Sequence, residues 1–245
     1  VRWLVLFCLI GAVQALCMAG FIAPGTLPAP SAMFVDMIRV LSTAAYWPAI
    51  VLTLRDIVLA AGLAIIGGFV CGLVLHGARF LRRGLEPLLA SYYAVPTFIF
   101  YPVLVAVLGA GRAPIIAIAV ALAIVAMISA TLTGLDHVPP VLSKSARVLR
   151  LSPLQIAFFL QLPAALPYLF TGMKLAVAYA FIGVIASEFI LSGDGIGYQV
   201  AYAYNNFDNP TMYGLILLVM IAATGLNAAL DAVDRRLQSR KLFNP

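Results

Sequence analysis

The chain has 245 residues, of which 64% are hydrophobic and only 10% charged, with a mean hydropathy of +1.07. Average soluble proteins are roughly half apolar and about a quarter charged, so this composition excludes a soluble domain and requires lipid as a second solvent. The formal net charge of +6 does not point to nucleic acid, because the basic residues flank apolar runs instead of forming one patch.

A bilayer core about 30 Å thick takes about 20 apolar residues per helix. Six stretches meet that length, at about 3–23, 49–75, 87–109, 113–133, 167–191 and 212–232. The expected fold is therefore all-α, a polytopic membrane helix bundle forming a single transmembrane domain over 1–245. Residues 3–23 are too long for the h-region of a signal peptide, about 7–15 residues, and read as a retained first span. Cys8, Cys17 and Cys71 lie within apolar runs, without metal-ligand spacing, and read as buried small hydrophobes.

Lys and Arg set the orientation. With the N-terminus inside, Arg2, then Arg79, Arg82 and Arg83, then Lys144, Arg147 and Arg150, and finally Arg235, Arg236, Arg240 and Lys241 are cytoplasmic. Arg39 and Arg112 alone fall in outer loops, which satisfies the positive-inside rule and places both termini in the cytoplasm.

Between the first two spans, Pro24, Pro28 and Pro30 favour extended chain, and Met33, Phe34, Met37, Ile38 and Leu41 then mark a short interfacial helix. The second span carries Gly62, Gly67, Gly68 and Gly72, the last two in G-x-x-x-G spacing. Close helix packing within the bundle is the plainer reading, and a dimer contact the sharper one. Pro96 and Pro102 break the third span, as tolerated where neighbours or a cavity satisfy the freed backbone, so a place on a translocation path is open to them. Residues 192–211 form an outer loop whose Tyr198, Tyr202, Tyr204 and Phe207 suit a headgroup-level belt.

The inner loop at about 134–165 is the informative segment. Pro139 and Pro140 suit the first turn of a helix running to about Leu151. Ser152 and Gln155 then form a capping box around Pro153, and a second helix ends at Leu162-Pro163. The loop is thus a cytoplasmic helix–turn–helix. Its mixture of Lys144, Arg147 and Arg150 with Val141, Leu142, Val148, Leu149 and Leu151 fits either a docking surface for a protein or an amphipathic helix on anionic lipid.

These residues resemble the signature loop of the permease subunits of binding-protein-dependent ABC importers. The family pattern E-A-A, three residues, G, nine residues, I-x-L-P appears as Lys144-Ser145-Ala146, Arg150 and Leu160-Gln161-Leu162-Pro163. Residues 163–189, the run Gly193-Asp194-Gly195-Ile196-Gly197-Tyr198 and the opening Leu27-Pro28-Ala29-Pro30-Ser31 are similar to the nitrate, sulfonate and taurine branch. The resemblance implies a type I ABC importer-like fold and a translocation path formed by two permease copies, as a homodimer or heterodimer. It further implies cytoplasmic ATPase subunits that bind ATP and Mg, a periplasmic substrate-binding protein, and residence in the bacterial inner membrane. By position, Lys144, Ser145, Ala146, Arg147, Leu149, Arg150, Leu151 and Pro163 would carry the coupling contact, with no cofactor in this chain. Lys144 replaces the family's Glu and Arg150 its Gly. Compensating acidic residues on the ATPase, a more typical sister subunit and weakened coupling are the three explanations.

Glu188, an acid inside the fifth span, reads as part of an ion pair with Arg55 or Arg112 that shapes an outer gate, and a direct substrate role is the alternative. Lys174 reads as a snorkelling side chain. No Ser-His-Asp set, H-E-x-x-H or phosphate-binding G-x-x-x-x-G-K-S/T occurs, so the chain reads as no enzyme and its ATPase as a separate chain. The implied cargo is a small organic or inorganic anion of the sulfonate, taurine or nitrate type, or a vitamin precursor. The rival readings are a secondary transporter or channel, disfavoured by few intramembrane charges and no visible repeat, and a non-transporting assembly subunit.

Overall fold

The computed structural model describes residues 2–22, 26–139, 141 and 151–242. All regular elements among them are helical: α1 (Arg2–Met18), α2 (Pro30–Ser42), α3 (Trp47–Gly77), α4 (Arg79–Ser91), α5 (Tyr101–Leu108), α6 (Arg112–Asp136), α7 (Pro153–Ile156), α8 (Leu162–Leu191), α9 (Ile196–Asn205) and α10 (Asn209–Leu242).

Four helical segments among the described residues are long and apolar enough to cross a membrane: Ala44–Gly77, Arg112–Asp136, Ala157–Asn205 and Asn209–Arg236. A fifth is counted if the bent pair Arg79–Ala94 and Thr97–Leu108 is one span. The six stretches read from sequence thus differ from the structure at two places. The first is the 17-residue α1, which at 1.5 Å per residue is roughly 26 Å long. It stops at Met18 because Gly20 turns left-handed, with φ +78°. The third is bent by 100°. Val95 is extended there (ψ 121°), as a residue before proline prefers, and Pro96 then opens a 3₁₀ turn over Thr97–Phe100. Pro102 occupies the first turn of α5, where its missing N–H costs nothing.

The helices fall into two compact units, Arg55–Ser187 with Leu226–Pro245, and Val1–Leu54 with Glu188–Gly225. In the former, α6 is the centre. Over half of its apolar window is buried, 56%, against none of the α10 window. Ile115, Ile118, Ala119, Ala123, Val125, Met127 and Ile128 carry that burial. Helices approach α6 on glycine. A Cβ on Gly68 of α3 would sit 2.7 Å from Met127 Cβ, and one on Gly72 would sit 2.6 Å from Thr131 Cβ. On α8, a Cβ on Gly183 would meet the Ala119 backbone at 2.7 Å, and one on Gly172 would collide with Ala130. The G-x-x-x-G pair of α3 therefore packs within the chain, the plainer of its two sequence readings.

In the other unit, α2 buries Met37 and Val40, and its backbone at Asp36 and Met37 lies close against Gly214 of α10. Gln14 of α1 accepts the Ser31 N–H (3.1 Å) and donates to the Ser31 hydroxyl (2.9 Å), satisfying a first-turn amide of α2. Residues 192–211, read as a loop, contain α9, which buries Ile196, Val200 and Ala203 and leaves Tyr202 and Tyr204 exposed, as is Phe207 in the turn that follows. Its apolar face was masked in sequence by the polar and aromatic residues between. Cys8 and Cys71 are exposed, not buried as composition suggested, because they lie on apolar helix surface of the kind lipid covers.

Gly72→Leu or Gly172→Leu is expected to cost about 1–3 kcal/mol by overpacking. Thermal unfolding in detergent should show a lowered midpoint for both. Gly62→Ala, with open space around the new methyl, should leave it unchanged or slightly raised.

Candidate functional site

The segment expected from sequence to meet an ATPase is described from Leu151 onward. Ser152 and Gln155 make the reciprocal bonds of a capping box: Ser152 N–H donates to Gln155 Oε1 (2.8 Å) and Gln155 N–H to Ser152 Oγ (3.3 Å). Lys144, Ser145, Ala146, Arg147, Leu149 and Arg150 lie outside the described residues. The second helix of the hairpin does not stop at Leu162-Pro163. It passes from α7 through a π-helical stretch, Ala157–Gln161, directly into α8. A proline ring clashes with the carbonyl four residues back, here Phe159, and the widened π geometry just before Pro163 relieves that clash. One helical path thus leads from the capping box into the membrane-spanning helix.

That path borders a cavity of about 520 Å³ lined by Tyr93, Ala126, Ser129, Ala130, Thr133, Tyr168, Thr171, Leu175 and Tyr179. Tyr93 and Tyr179 are stacked with centroids 5.1 Å apart, and Tyr168 stacks on His137 at 5.0 Å. Among the described residues the lining consists of hydroxyls, aromatic rings and the aliphatic Ala126, Ala130 and Leu175, with no charged side chain. Pro96 does not line it, but the break Pro96 opens follows the 3₁₀ turn Tyr92–Ala94 that presents Tyr93. Pro102 lies beyond that break, in α5.

Glu188 is fully buried. Thr53 Oγ1 donates to its carboxylate, 2.8 Å from Oε2 and 3.0 Å from Oε1, and Gly197 N–H donates to Oε2 at 3.1 Å. The Ile196 N–H in turn donates to Thr53 Oγ1 (2.9 Å). Two side chains therefore cap the first turn of α9. Gly195, at φ +99°, lies so close to the carboxylate that any Cβ would collide with it. Thr53 was missed from sequence, and Gly195 and Gly197 were noted there only as part of the run 193–198, without this role. The only signal was the Gly-x-Gly spacing at 195–197.

The two arginines weighed as partners of Glu188 both bond Asp56, itself fully buried: Arg112 Nε at 2.6 Å and Arg55 at 3.2 Å. Arg55 is more than half exposed, so Arg112 is the closer and better shielded of the two partners. Lys174 is held by Asp231 and by Asp234 (3.3 Å) of α10, so its charge is paired and not simply extended to headgroups. Arg82 grips Asp136 with two bonds, 2.9 and 2.6 Å, joining α4 to the end of α6 beside the loop.

Thr53→Val takes a donor from Glu188 and the acceptor from Ile196, and should cost about 1–3 kcal/mol for each group left short. Hydrogen exchange should rise across α9 and the thermal midpoint fall, while Thr53→Ser keeps both near wild type.

Residues 64–242 match the family model described as binding-protein-dependent transport system inner membrane component. The nitrate import permease protein NrtB of Leptolyngbya laminosa is 28% identical over 192 residues, covering 78% of this chain and 68% of its own length. The taurine transport system permease protein TauC of Escherichia coli (strain K12) is 28% identical over 222 residues, covering 88% and 80% respectively. Among solved structures, an inward-facing methionine ABC transporter MetNI chain superposes with a TM-score of 0.68 at 19% identity, covering 79% of this chain and 98% of that one. At that identity the likeness carries the fold.

Proposed function

The chain belongs to the binding-protein-dependent transport system inner membrane component family and is a multi-pass permease subunit of an ABC importer, and from that premise we propose how it is coupled and what it moves. Two permease subunits form the path, and ATP with Mg is bound and hydrolysed in separate cytoplasmic subunits. The loop residues Lys144, Ser145, Ala146, Arg147, Leu149, Arg150 and Leu151 seat on those subunits, and Pro163 marks where the loop joins the span. The Lys and Arg bias supports an inner-membrane orientation with both termini cytoplasmic.

The observation that carries this reading is the unbroken helical path from the Ser152–Gln155 capping box through Ala157–Gln161 into α8. A capped helix start is fixed relative to the loop, so displacement of the loop is passed along the helix axis to the wall of the cavity at Tyr168, Thr171 and Tyr179. A connection by flexible chain would lose that displacement.

The cargo is a small organic or inorganic anion of the nitrate or taurine kind, or a vitamin precursor, handed over by a periplasmic binding protein. The uncharged cavity supports weak contact in transit, since a carrier path must let its cargo leave as readily as it enters. Glu188 is a positioning group for α9 at the outer gate, supported by its capping bonds to Thr53 and Gly197.

Purification of the membrane complex is expected to bring a soluble ATPase with the chain, and uptake in vesicles should stop on ATP depletion. Uptake that survives depletion, with no ATPase attached, would establish the secondary-transporter reading instead. Lys144→Glu with Arg150→Gly should change the ATPase stimulation by cargo-loaded binding protein severalfold. Unchanged stimulation would remove those two positions from the coupling surface.

A further inference from the structure

Helix α4 is the most sharply two-faced of the described helices. At 100° per residue, Arg79, Arg82, Arg83 and Glu86 share one side, and Phe80, Leu81, Leu85 and Leu88 share the other. The apolar side is open: Phe80 is 90% exposed and Leu88 62%. One edge is fixed, because Leu89 packs against the cluster of Leu75, Ile128 and Leu132, and Arg82 is bound by Asp136. The helix pair it opens is bent by 100° at Val95 and Pro96, so α4 runs across the direction of the segment that follows.

We infer that α4 lies in the membrane interface and binds anionic phospholipid. Phe80, Leu81 and Leu88 enter the acyl boundary, and Arg79 and Arg83 hold the phosphate. A helix of this composition sits in the interfacial plane with its apolar side about 5–10 Å deep. The charges complement that occupant. Arg79, Arg82, Arg83 and Glu86 line a hollow of about 310 Å³. Glu86 opposes an anion there, but it is well exposed and leans toward Arg82 at 3.9 Å, and Arg82 already serves Asp136. Arg79 and Arg83 are exposed and line that hollow. Because Arg82 ties α4 to Asp136 at the end of α6, lipid held on α4 also holds the inner end of α6.

The test uses the full chain in mild detergent, titrated with phosphatidylglycerol or phosphatidylcholine and scored by native mass spectrometry. The expected result is preferential retention of phosphatidylglycerol, weakened roughly thirtyfold in Arg79→Gln/Arg83→Gln, as loss of two basic residues near an anionic surface predicts. Phe80→Ser should weaken both lipids, while Arg82 and Asp136 are untouched and the thermal midpoint without lipid stays constant. Equal affinity for the two lipids, or wild-type binding by the double variant, would overturn the inference. Two further outcomes would do so as well: displacement by millimolar inorganic phosphate, which would make this a soluble-anion site, and loss of lipid once the ATPase is attached, which would make it a protein contact.

Discussion

The close approach of α3 and α8 to α6 is the constraint from which the structure around α6 follows. In lipid, apolar side chains gain nothing by leaving their solvent, so helices associate through van der Waals contact, and contact requires small residues where backbones meet. Gly68, Gly72, Gly172 and Gly183 supply it, each where a Cβ would overlap Met127, Thr131, Ala130 or Ala119. The alanine-rich face of α6 is the complementary half. Once those contacts exist, the faces of α3 that point away carry Val58, Leu63 and Ile66 outward, which is tolerable only against lipid.

The ionisable residues within the helices serve the same end. Asp56 with Arg112, Lys174 with Asp231 and Asp234, and Arg82 with Asp136 each join two helices. Glu188 accepts from Thr53 and from the first turn of α9 at Gly197. Charges in lipid are costly unless paired, and paired they fix one helix against another. The described lining of the cavity is hydroxyls, aromatic rings and aliphatic side chains. A wall of that kind is in keeping with the proposed weak contact with cargo in transit.

Much of this was legible in sequence where the cause is local. The capping box at Ser152 and Gln155 is set by residues three apart, and it forms as the pattern implies. Apolar length marked the spans, and G-x-x-x-G marked the packing face of α3. What sequence did not show is nonlocal. Thr53 and Glu188 are 135 positions apart, and no periodicity connects them. Lys174 finds its two aspartates 57 and 60 positions on, across a turn of the chain. The run of the loop helix into α8 was hidden by the rule that proline ends helices, which the π-helical stretch before Pro163 circumvents.

The proposed drive of α8 by the loop acts through a continuous helix. It is tested most directly by the ratio of cargo imported to ATP hydrolysed in proteoliposomes of the complete transporter, with Gly-Gly inserted between Gln155 and Ile156. Hydrolysis is expected to continue while import falls at least tenfold, since the loop still seats but its motion no longer reaches the cavity. An unchanged ratio of import to hydrolysis would contradict it.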